Sequence, residues 1–141
     1  MVHPVLSSLL RIDRHRRRAL RKVLAPYQYV GTMHLIVRYV SRNPGASQEE
    51  IVCFFALDKA SAARDARRLE DMGHIRREID PADRRQYRLY LTEAGRGMLD
   101  VIDRAYEDFQ SRLAAGFSPE EWEHMTELLA RLEENSQKET G

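Results

Sequence analysis

Apolar residues recur every three or four positions over most of the chain, which is the spacing of the buried stripe of an α-helix. The first such segment runs from about Val5 to Ala25 and ends at Pro26, and charged residues interrupt its apolar stripe near the middle. A second helix follows Gly31 and ends at the Asn43-Pro44-Gly45 turn. We therefore expect two helices at the start of the chain.

The next two helices are short and a tight turn joins them. Ser47 opens the third helix in an S-x-x-E capping box with Glu50, in which each residue binds a free backbone amide of the other. Asp58 caps the fourth helix and Gly73 closes it. This pair of helices is typical of a helix-turn-helix. The predicted buried face of the fourth helix consists of Ala62, Ala66, Leu69 and Met72.

After Gly73 the apolar period changes from about 3.6 to about 2, which marks β-strands. Two strands around Ile75 and Leu89 flank the Asp80-Pro81-Ala82-Asp83 turn and form a basic hairpin. Thr92 then caps a long helix, and Ser118 opens the last one. We expect an α+β fold that is mostly helical, with six helices and one β-hairpin wing.

The two C-terminal helices carry more apolar surface than a small winged unit can cover, so we expect a homodimer. The residues concerned are Met98, Ile102, Tyr106, Phe109, Leu113, Trp122, Met125, Leu129 and Leu132. With 141 residues and 43% hydrophobic content, the chain is expected to form one domain over residues 1–141.

The net charge of the chain is +1, but the charges are distributed very unevenly along it. Residues 1–45 carry +8, residues 46–92 carry 0 and residues 93–141 carry −7. Two explanations remain open at this point: the basic and acidic ends neutralise each other within a dimer, or the basic segment faces nucleic acid.

Several residues together resemble the MarR family of winged-helix transcription regulators along almost the whole chain. The strongest match is the stretch from Asp83 to Thr92, which has the D-x-R-x5-L-T form of the family's wing and following helix cap. Leu57-Asp58-Lys59-Ala60-Ser61 resembles the start of the recognition helix, and Arg68-Leu69-Glu70-Asp71-Met72-Gly73 resembles its end.

The resemblance implies a winged helix-turn-helix over about residues 30–92 and dimerisation helices over about residues 5–25 and 93–137. Such a homodimer would bind double-stranded DNA at a pseudo-palindromic operator, with one recognition helix in each of two successive major grooves. We expect a repressor that an effector releases by changing the separation of the two DNA-binding heads.

The residues of the fourth helix and hairpin also favour DNA as the partner. Small residues and long donors on the exposed side of a helix suit the major groove. An arginine at a protruding turn suits the narrow A·T minor groove. The expected DNA-binding residues are Lys59, Ala60, Ser61, Ala63, Arg64, Arg67, Arg68, Arg76, Arg77, Arg84, Arg85 and Arg88.

The fourth helix departs from the family at the residue that usually holds the wing. Many members have an Asp where this chain has Arg67, and Asp65 occupies a position that is usually apolar. We expect Asp83 or Asp65 to hold the wing, unless it is mobile before DNA binds.

A small anionic aromatic effector is expected near the middle of the first helix. Arg16 and Arg17 would supply charge there, and Tyr29 and His34 would supply stacking. The alternative is that both arginines pair with Asp100, Asp103 or Glu107 of the long helix.

Other classes of function have less support. The chain lacks a nucleophile–base pair and a glycine-rich phosphate loop, so we expect no enzyme and no cofactor. The five histidines and one cysteine lack metal-ligand spacing. Cys53 lies beside two phenylalanines and is expected to be buried and unreactive. No segment is apolar enough to enter a membrane, and we expect a cytoplasmic protein. The alternative function is a winged-helix interaction module without DNA binding.

Overall fold

A computed structural model describes residues 3–138, and the chain divides into two compact units between Glu107 and Asp108. The helices among the described residues are α1 (Pro4–Leu24), α2 (Met33–Arg42), α3 (Gln48–Phe55), α4 (Lys59–Asp71), α5 (Glu93–Arg96), α6 (Leu99–Leu113) and α7 (Pro119–Gln137), with a 3₁₀ turn at Ala25–Tyr27. The strands are β1 (Ala46–Ser47), β2 (Ile75–Ile79) and β3 (Tyr87–Leu91).

The mostly helical fold with a β-hairpin is confirmed. A third strand, β1, pairs with the hairpin. The sheet order is β1-β3-β2 and both pairings are antiparallel. Ala46 pairs with Leu89, and Ile75 pairs with Leu91. These four residues are buried, whereas Ile79 at the far end of β2 is exposed. The hairpin is therefore anchored at its base and extends away from the core.

The predicted long helix after Thr92 is divided into α5 and α6. Thr92 caps α5 as expected, since its side chain accepts from the backbone N–H of Gly95 at 3.2 Å. A Cβ atom on Gly95 would lie only 2.1 Å from the carbonyl oxygen of His74, so only glycine fits there. Gly95 and Gly97 have low helix propensity, which explains the interruption between the two helices.

The capping box predicted at α3 is only half formed. Ser47 Oγ accepts from the backbone N–H of Glu50 at 3.0 Å, as expected. The Glu50 carboxylate does not return to Ser47 but accepts a hydrogen bond of 2.7 Å from the Tyr39 hydroxyl of α2. A complete capping box is present instead at α7, between Ser118 and Glu121. Glu50 thus joins α2 to α3.

One core holds the helices and the sheet of the first unit together. Only the C-terminal half of α1 contributes to this core, through Leu20 and Leu24. The other elements contribute Met33, Ile36, Val37, Val40, Ile51, Ala66, Leu69, Ile75, Leu89, Leu91, Met98, Ile102 and Ala105. Burial of each large aliphatic side chain stabilises the fold by about 1.5–3 kcal/mol before entropy is counted. This core fixes the orientation of α4 and the base of the hairpin.

Both ends of the chain expose apolar residues that a single copy leaves uncovered. In the first unit, the N-terminal half of α1 exposes Val5, Leu6, Leu9, Leu10 and Ile12. In the second unit, α7 contains no residue that a single copy buries. Leu129 and Leu132 are exposed, and Trp122 and Met125 are half-buried. No helix of the described residues is long and apolar enough to span a bilayer.

Candidate nucleic-acid interface

Helix α4 presents one buried and one exposed face. Asp58 caps it by accepting from Ser61 N at 2.9 Å and Ser61 Oγ at 2.8 Å, and these hydrogen bonds lower the pKa of Asp58. Ala62, Ala66 and Leu69 are buried against the core. The exposed face consists of Lys59, Ala60, Ala63, Arg64, Arg67 and Arg68, with Ser61 half-buried beside it. Small residues thus lie near the start of this face and guanidinium groups farther along it.

The hairpin turn carries exposed cations at its tip. Arg84 and Arg85 are both exposed, and the Arg85 side chain is 90% accessible. Asp83 Oδ1 accepts from the backbone N–H of Arg85 at 3.1 Å and from its Nε at 3.2 Å. Gln86 donates to the Glu49 carboxylate of α3 at 3.1 Å. Asp83 therefore orients the predicted wing arginine, while Gln86 joins the turn to α3.

Arg77 was expected to contact DNA, but its side chain is paired within the protein. Its guanidinium forms a bidentate pair with Glu70 of α4, at 2.6 and 3.0 Å, and lies 4.8 Å from the Tyr87 ring centroid. Hydrogen bonding to Arg77 lowers the pKa of Glu70, and the same pair raises the pKa of Arg77. This pair ties strand β2 to α4, a connection that the sequence reasoning missed.

The other two strand arginines are also paired, but they remain exposed. Arg76 pairs with Glu78 and lies 4.5 Å from the Tyr90 ring centroid. Arg88 pairs with Asp80 at 3.5 Å, at the edge of the turn. Exposed pairs of this kind are weak and exchange readily, so both arginines are available to a phosphate.

Asp65 does not hold the wing as expected. Its buried carboxylate accepts from Thr32 N at 2.7 Å and Thr32 Oγ1 at 2.8 Å, and it pairs with Arg68 at 3.3 Å. Gly31 has φ +56°, and a Cβ there would lie 2.5 Å from Asp65 Oδ2. Asp65 thus fixes the N-terminus of α2 to the recognition helix, which explains a charged residue at an otherwise apolar position.

Three of the four predicted effector-pocket residues line one cavity. Arg17, Tyr29 and His34 surround a space of about 140 Å³ between α1 and the start of α2. Arg16 does not line this cavity: it pairs with Asp13 at 2.9 Å and donates to the Tyr106 hydroxyl at 3.4 Å. Arg17 also pairs with Asp13, at 3.2 Å. Neither arginine therefore pairs with Asp100, Asp103 or Glu107 of the long helix, which was the alternative.

The cavity is connected to the hairpin by a short hydrogen bond. The Tyr29 hydroxyl lies 2.6 Å from His74 Nδ1, and burial raises the pKa of Tyr29 and lowers that of His74. His74 immediately precedes β2, and its carbonyl accepts from the Thr92 N–H at 3.1 Å. His74 thus lies between Tyr29 and the junction of α4, β2 and α5.

His34 also lines this cavity, and it is buried. Its Nδ1 lies 3.0 Å from the Tyr106 hydroxyl of α6. Burial, reinforced by the charges of Arg16 and Arg38 and opposed by that of Asp65, lowers the pKa of His34 to about 4. The imidazole is therefore neutral at physiological pH.

Cys53 is exposed, contrary to the expectation that it is buried. Only Ile51 of α3 is buried, because this helix has eight residues and presents most of its surface to solvent. In residues 3–138, no group of three or more His, Cys, Asp or Glu side chains is arranged to hold a metal ion.

Comparison with known proteins agrees with this architecture. The MarR family profile matches residues 32–87, from the start of α2 to the start of β3. The HTH-type transcriptional regulator BilQ of Clostridioides difficile (strain CD3) is 27% identical over 108 residues, which cover 77% of this chain and 73% of that protein.

Solved structures extend the match to about 95% of the chain. A crystal structure of MarR is 30% identical, with a TM-score of 0.81, and the match covers 95% of this chain and 98% of that one. A MarR transcriptional regulator from Methanosarcina mazei Go1 is 25% identical, with a TM-score of 0.85, and covers 94% and 95%. The chain therefore belongs to the MarR family, whose members are transcription regulators and not enzymes.

Proposed function

We propose that this chain is a cytoplasmic homodimeric repressor that binds a pseudo-palindromic DNA operator. One observation carries the proposal: the small and basic exposed face of α4 is joined by the Glu70–Arg77 pair to a hairpin whose tip exposes two arginines. A recognition helix and a wing held in fixed relation can engage a major groove and the adjacent minor groove together.

The proposed contacts fall into three groups. Arg64 reads base edges in the major groove, where Ala60 and Ala63 allow the helix to approach closely. Arg85 enters the minor groove, oriented by Asp83. The remaining exposed cations bind phosphates, which set affinity and register but carry no sequence information. These phosphate-binding residues are Lys59, Arg67, Arg68, Arg76, Arg84 and Arg88.

Homodimerisation is supported by the apolar residues that each unit leaves exposed. The N-terminal half of α1 exposes five large apolar side chains, and α7 exposes Leu128, Leu129 and Leu132. Contiguous apolar surface of this kind usually marks an interface. A two-fold dimer would also bring the +8 and −7 segments of different copies within reach of each other.

Selection of bound duplexes from a random DNA pool tests the proposal. We expect enrichment of a sequence with two inverted half-sites whose centres lie about one helical turn apart. Enrichment of single half-sites would contradict the dimer, and no enrichment at low salt would favour the interaction module without DNA binding.

The cavity lined by Arg17, Tyr29 and His34 is the proposed effector site. Its size of about 140 Å³ suits a single-ring acid, with Arg17 as the counter-ion. The Tyr29–His74 hydrogen bond provides the route by which occupancy reaches the wing. Salicylate should raise the melting temperature and weaken operator binding, and Arg17→Gln should reduce both effects. Unchanged melting and unchanged DNA affinity would remove this part of the proposal.

A further inference from the structure

Three side chains near the N-terminus of α4 form a continuous chain of hydrogen bonds. The Ser61 hydroxyl donates to Asp58 Oδ2 at 2.8 Å, and the same hydroxyl oxygen accepts from Arg64 Nη2 at 3.2 Å. The three residues are three positions apart along the chain, so each lies about one helical turn from the next. Ser61 therefore connects the cap of the helix to the arginine proposed to read base edges.

Asp58 fixes the direction in which the Ser61 hydroxyl points. Its carboxylate also accepts from the backbone N–H of Ser61 at 2.9 Å. These two hydrogen bonds, together with the charge of Arg64, lower the pKa of Asp58. An ionised carboxylate can only accept hydrogen bonds, so the single hydroxyl proton of Ser61 is directed to Asp58 and its lone pairs remain for Arg64.

Arg64 is held differently from the other exposed arginines of α4. Among the residues that the structure describes, Arg64 forms no ion pair and donates to Ser61 alone. Arg68 pairs with the Asp65 carboxylate, and Arg67 has no side-chain partner within residues 3–138. A neutral hydroxyl occupies one of the five guanidinium N–H donors and leaves the positive charge uncompensated. Arg64 is thus oriented without being neutralised.

This contact gains importance when the helix meets DNA. Arg64 is exposed in the free protein, where a hydrogen bond to a hydroxyl contributes little to stability. A DNA groove excludes water from the contact, and the lower local dielectric strengthens the bond. A guanidinium that already has a fixed direction also loses less side-chain entropy when it binds a base edge. Orientation of Arg64 therefore favours the base that lies in that direction over its competitors.

We propose that Ser61 is a positioning residue whose hydroxyl, held by Asp58, orients Arg64 toward one guanine of the operator. Guanine is the base that arginine recognises best, because its O6 and N7 accept two hydrogen bonds from one guanidinium. The inference rests on the proposed binding of DNA by α4. It also changes the role of Ser61, which was expected to contact DNA directly.

Competition binding with operator duplexes altered at one position at a time tests this proposal on the full-length protein. The position at which Arg64→Ala relaxes base preference identifies the base that Arg64 reads. Ser61→Ala keeps the backbone N–H that Asp58 caps, and it should lower the preference for guanine at that position about three- to tenfold. Preferences at the other positions and the melting temperature should stay unchanged.

Three further variants separate orientation from other roles of the hydroxyl. Ser61→Ala should have no additional effect in the Arg64→Ala background, because the residue that it orients is then absent. Ser61→Thr retains a hydroxyl and should retain the guanine preference. Ser41→Ala is the matched control, since it removes a hydroxyl that donates to a backbone carbonyl within α2, and it should leave every preference unchanged.

The contrary results are distinct from one another. If Ser61→Ala keeps the parental preference for guanine, Ser61 does not orient Arg64. A uniform loss of affinity for all duplexes would show that Ser61 contacts a phosphate, and a further loss of preference in the Arg64→Ala background would show that Ser61 reads a base itself. These results overturn this inference alone, because the parent protein still selects an operator. If the parent protein selects no operator, or Arg64→Ala relaxes no position, the inference fails together with the proposed function or the proposed role of Arg64.

Discussion

Replacement of the buried histidine on α2 should make the protein less sensitive to acid. His34 packs against Tyr106 of α6 and faces Arg16 of α1, Arg38 of its own helix and Asp65 of α4. Burial and the two arginines lower its pKa to about 4 from the usual 6.5. The folded protein therefore resists protonation of this ring, whereas the unfolded chain accepts the proton at its ordinary pKa.

The sign and size of the effect follow from linkage. Above pH of about 6.5 the ring is neutral in both states and pH has no effect through His34. Between about 6.5 and 4 only the unfolded state binds the proton, so stability falls as the pH falls. For this pair of pKa values the expected loss between about pH 7.5 and 5 is about 2 kcal/mol. Burial also lowers the pKa of His74, which adds a contribution in the same direction.

Urea unfolding at fixed protein concentration, followed by circular dichroism at each pH, measures this dependence. The variant His34→Gln lacks the titrating ring and should lose most of the pH dependence in this window. His124→Gln, which removes an exposed histidine of α7, is the matched control. If His34→Gln loses as much stability at pH of about 5 as the parent protein does, the assigned protonation difference is wrong.

Three further predictions concern the DNA-binding unit. Arg64→Ala should relax base preference at one or two operator positions and lower the discrimination against the wrong base by about 1–3 kcal/mol. Arg85→Ala should instead weaken binding mainly to operators with A·T-rich flanks, and competition with altered operators distinguishes the two variants. If Arg85→Ala binds the operator as tightly as the parent protein does, the assignment of Arg85 to the minor groove is wrong. Glu70→Gln should lower the free energy of unfolding by about 1 kcal/mol and accelerate amide hydrogen exchange in β2. A double-mutant cycle with Arg77→Met should show energetic coupling between the two residues. Asp65→Ala should lower the free energy of unfolding in chemical denaturation by about 1–3 kcal/mol, because it leaves the partly buried N–H of Thr32 without its acceptor. A smaller loss would show that water replaces the carboxylate.

Local signals in the sequence predicted most of the fold. The four caps at Ser47, Asp58, Thr92 and Ser118 were predicted because each depends on residues within one helical turn, and all four form. Spacing alone predicted the burial of Ala62, Ala66 and Leu69 on α4, whereas Met72, predicted with them, is half-buried and follows the end of the helix. The change of period after Gly73 marked the hairpin, but β1 has only two residues and gave no periodic signal.

The parts that the sequence did not predict depend on contacts between distant residues. Asp65 gains its role from Thr32, 33 positions away, and the wing is tied through Glu70 and Arg77, seven positions apart on different elements. No spacing pattern in a single sequence indicates that such residues will contact each other. Cys53 was misplaced because aromatic neighbours usually indicate burial, whereas Phe54 beside it is itself exposed. The division of the long helix was signalled by Gly95 and Gly97 but depends on the approach of His74.

The salt dependence of operator binding tests the central proposal most directly. A fluorescently labelled duplex carrying the selected operator is titrated with protein at increasing salt, with a scrambled duplex as control. Of the six proposed phosphate-binding residues of each protomer, the three on the hairpin, Arg76, Arg84 and Arg88, already give about six phosphate contacts per dimer. The logarithm of affinity should therefore fall with a slope of about −5 or steeper against the logarithm of salt concentration. This corresponds to a loss of about a thousandfold or more between about 50 and 200 mM salt, with the operator preferred throughout. Equal affinity for both duplexes, or a flat salt profile, would contradict a sequence-specific DNA-binding regulator.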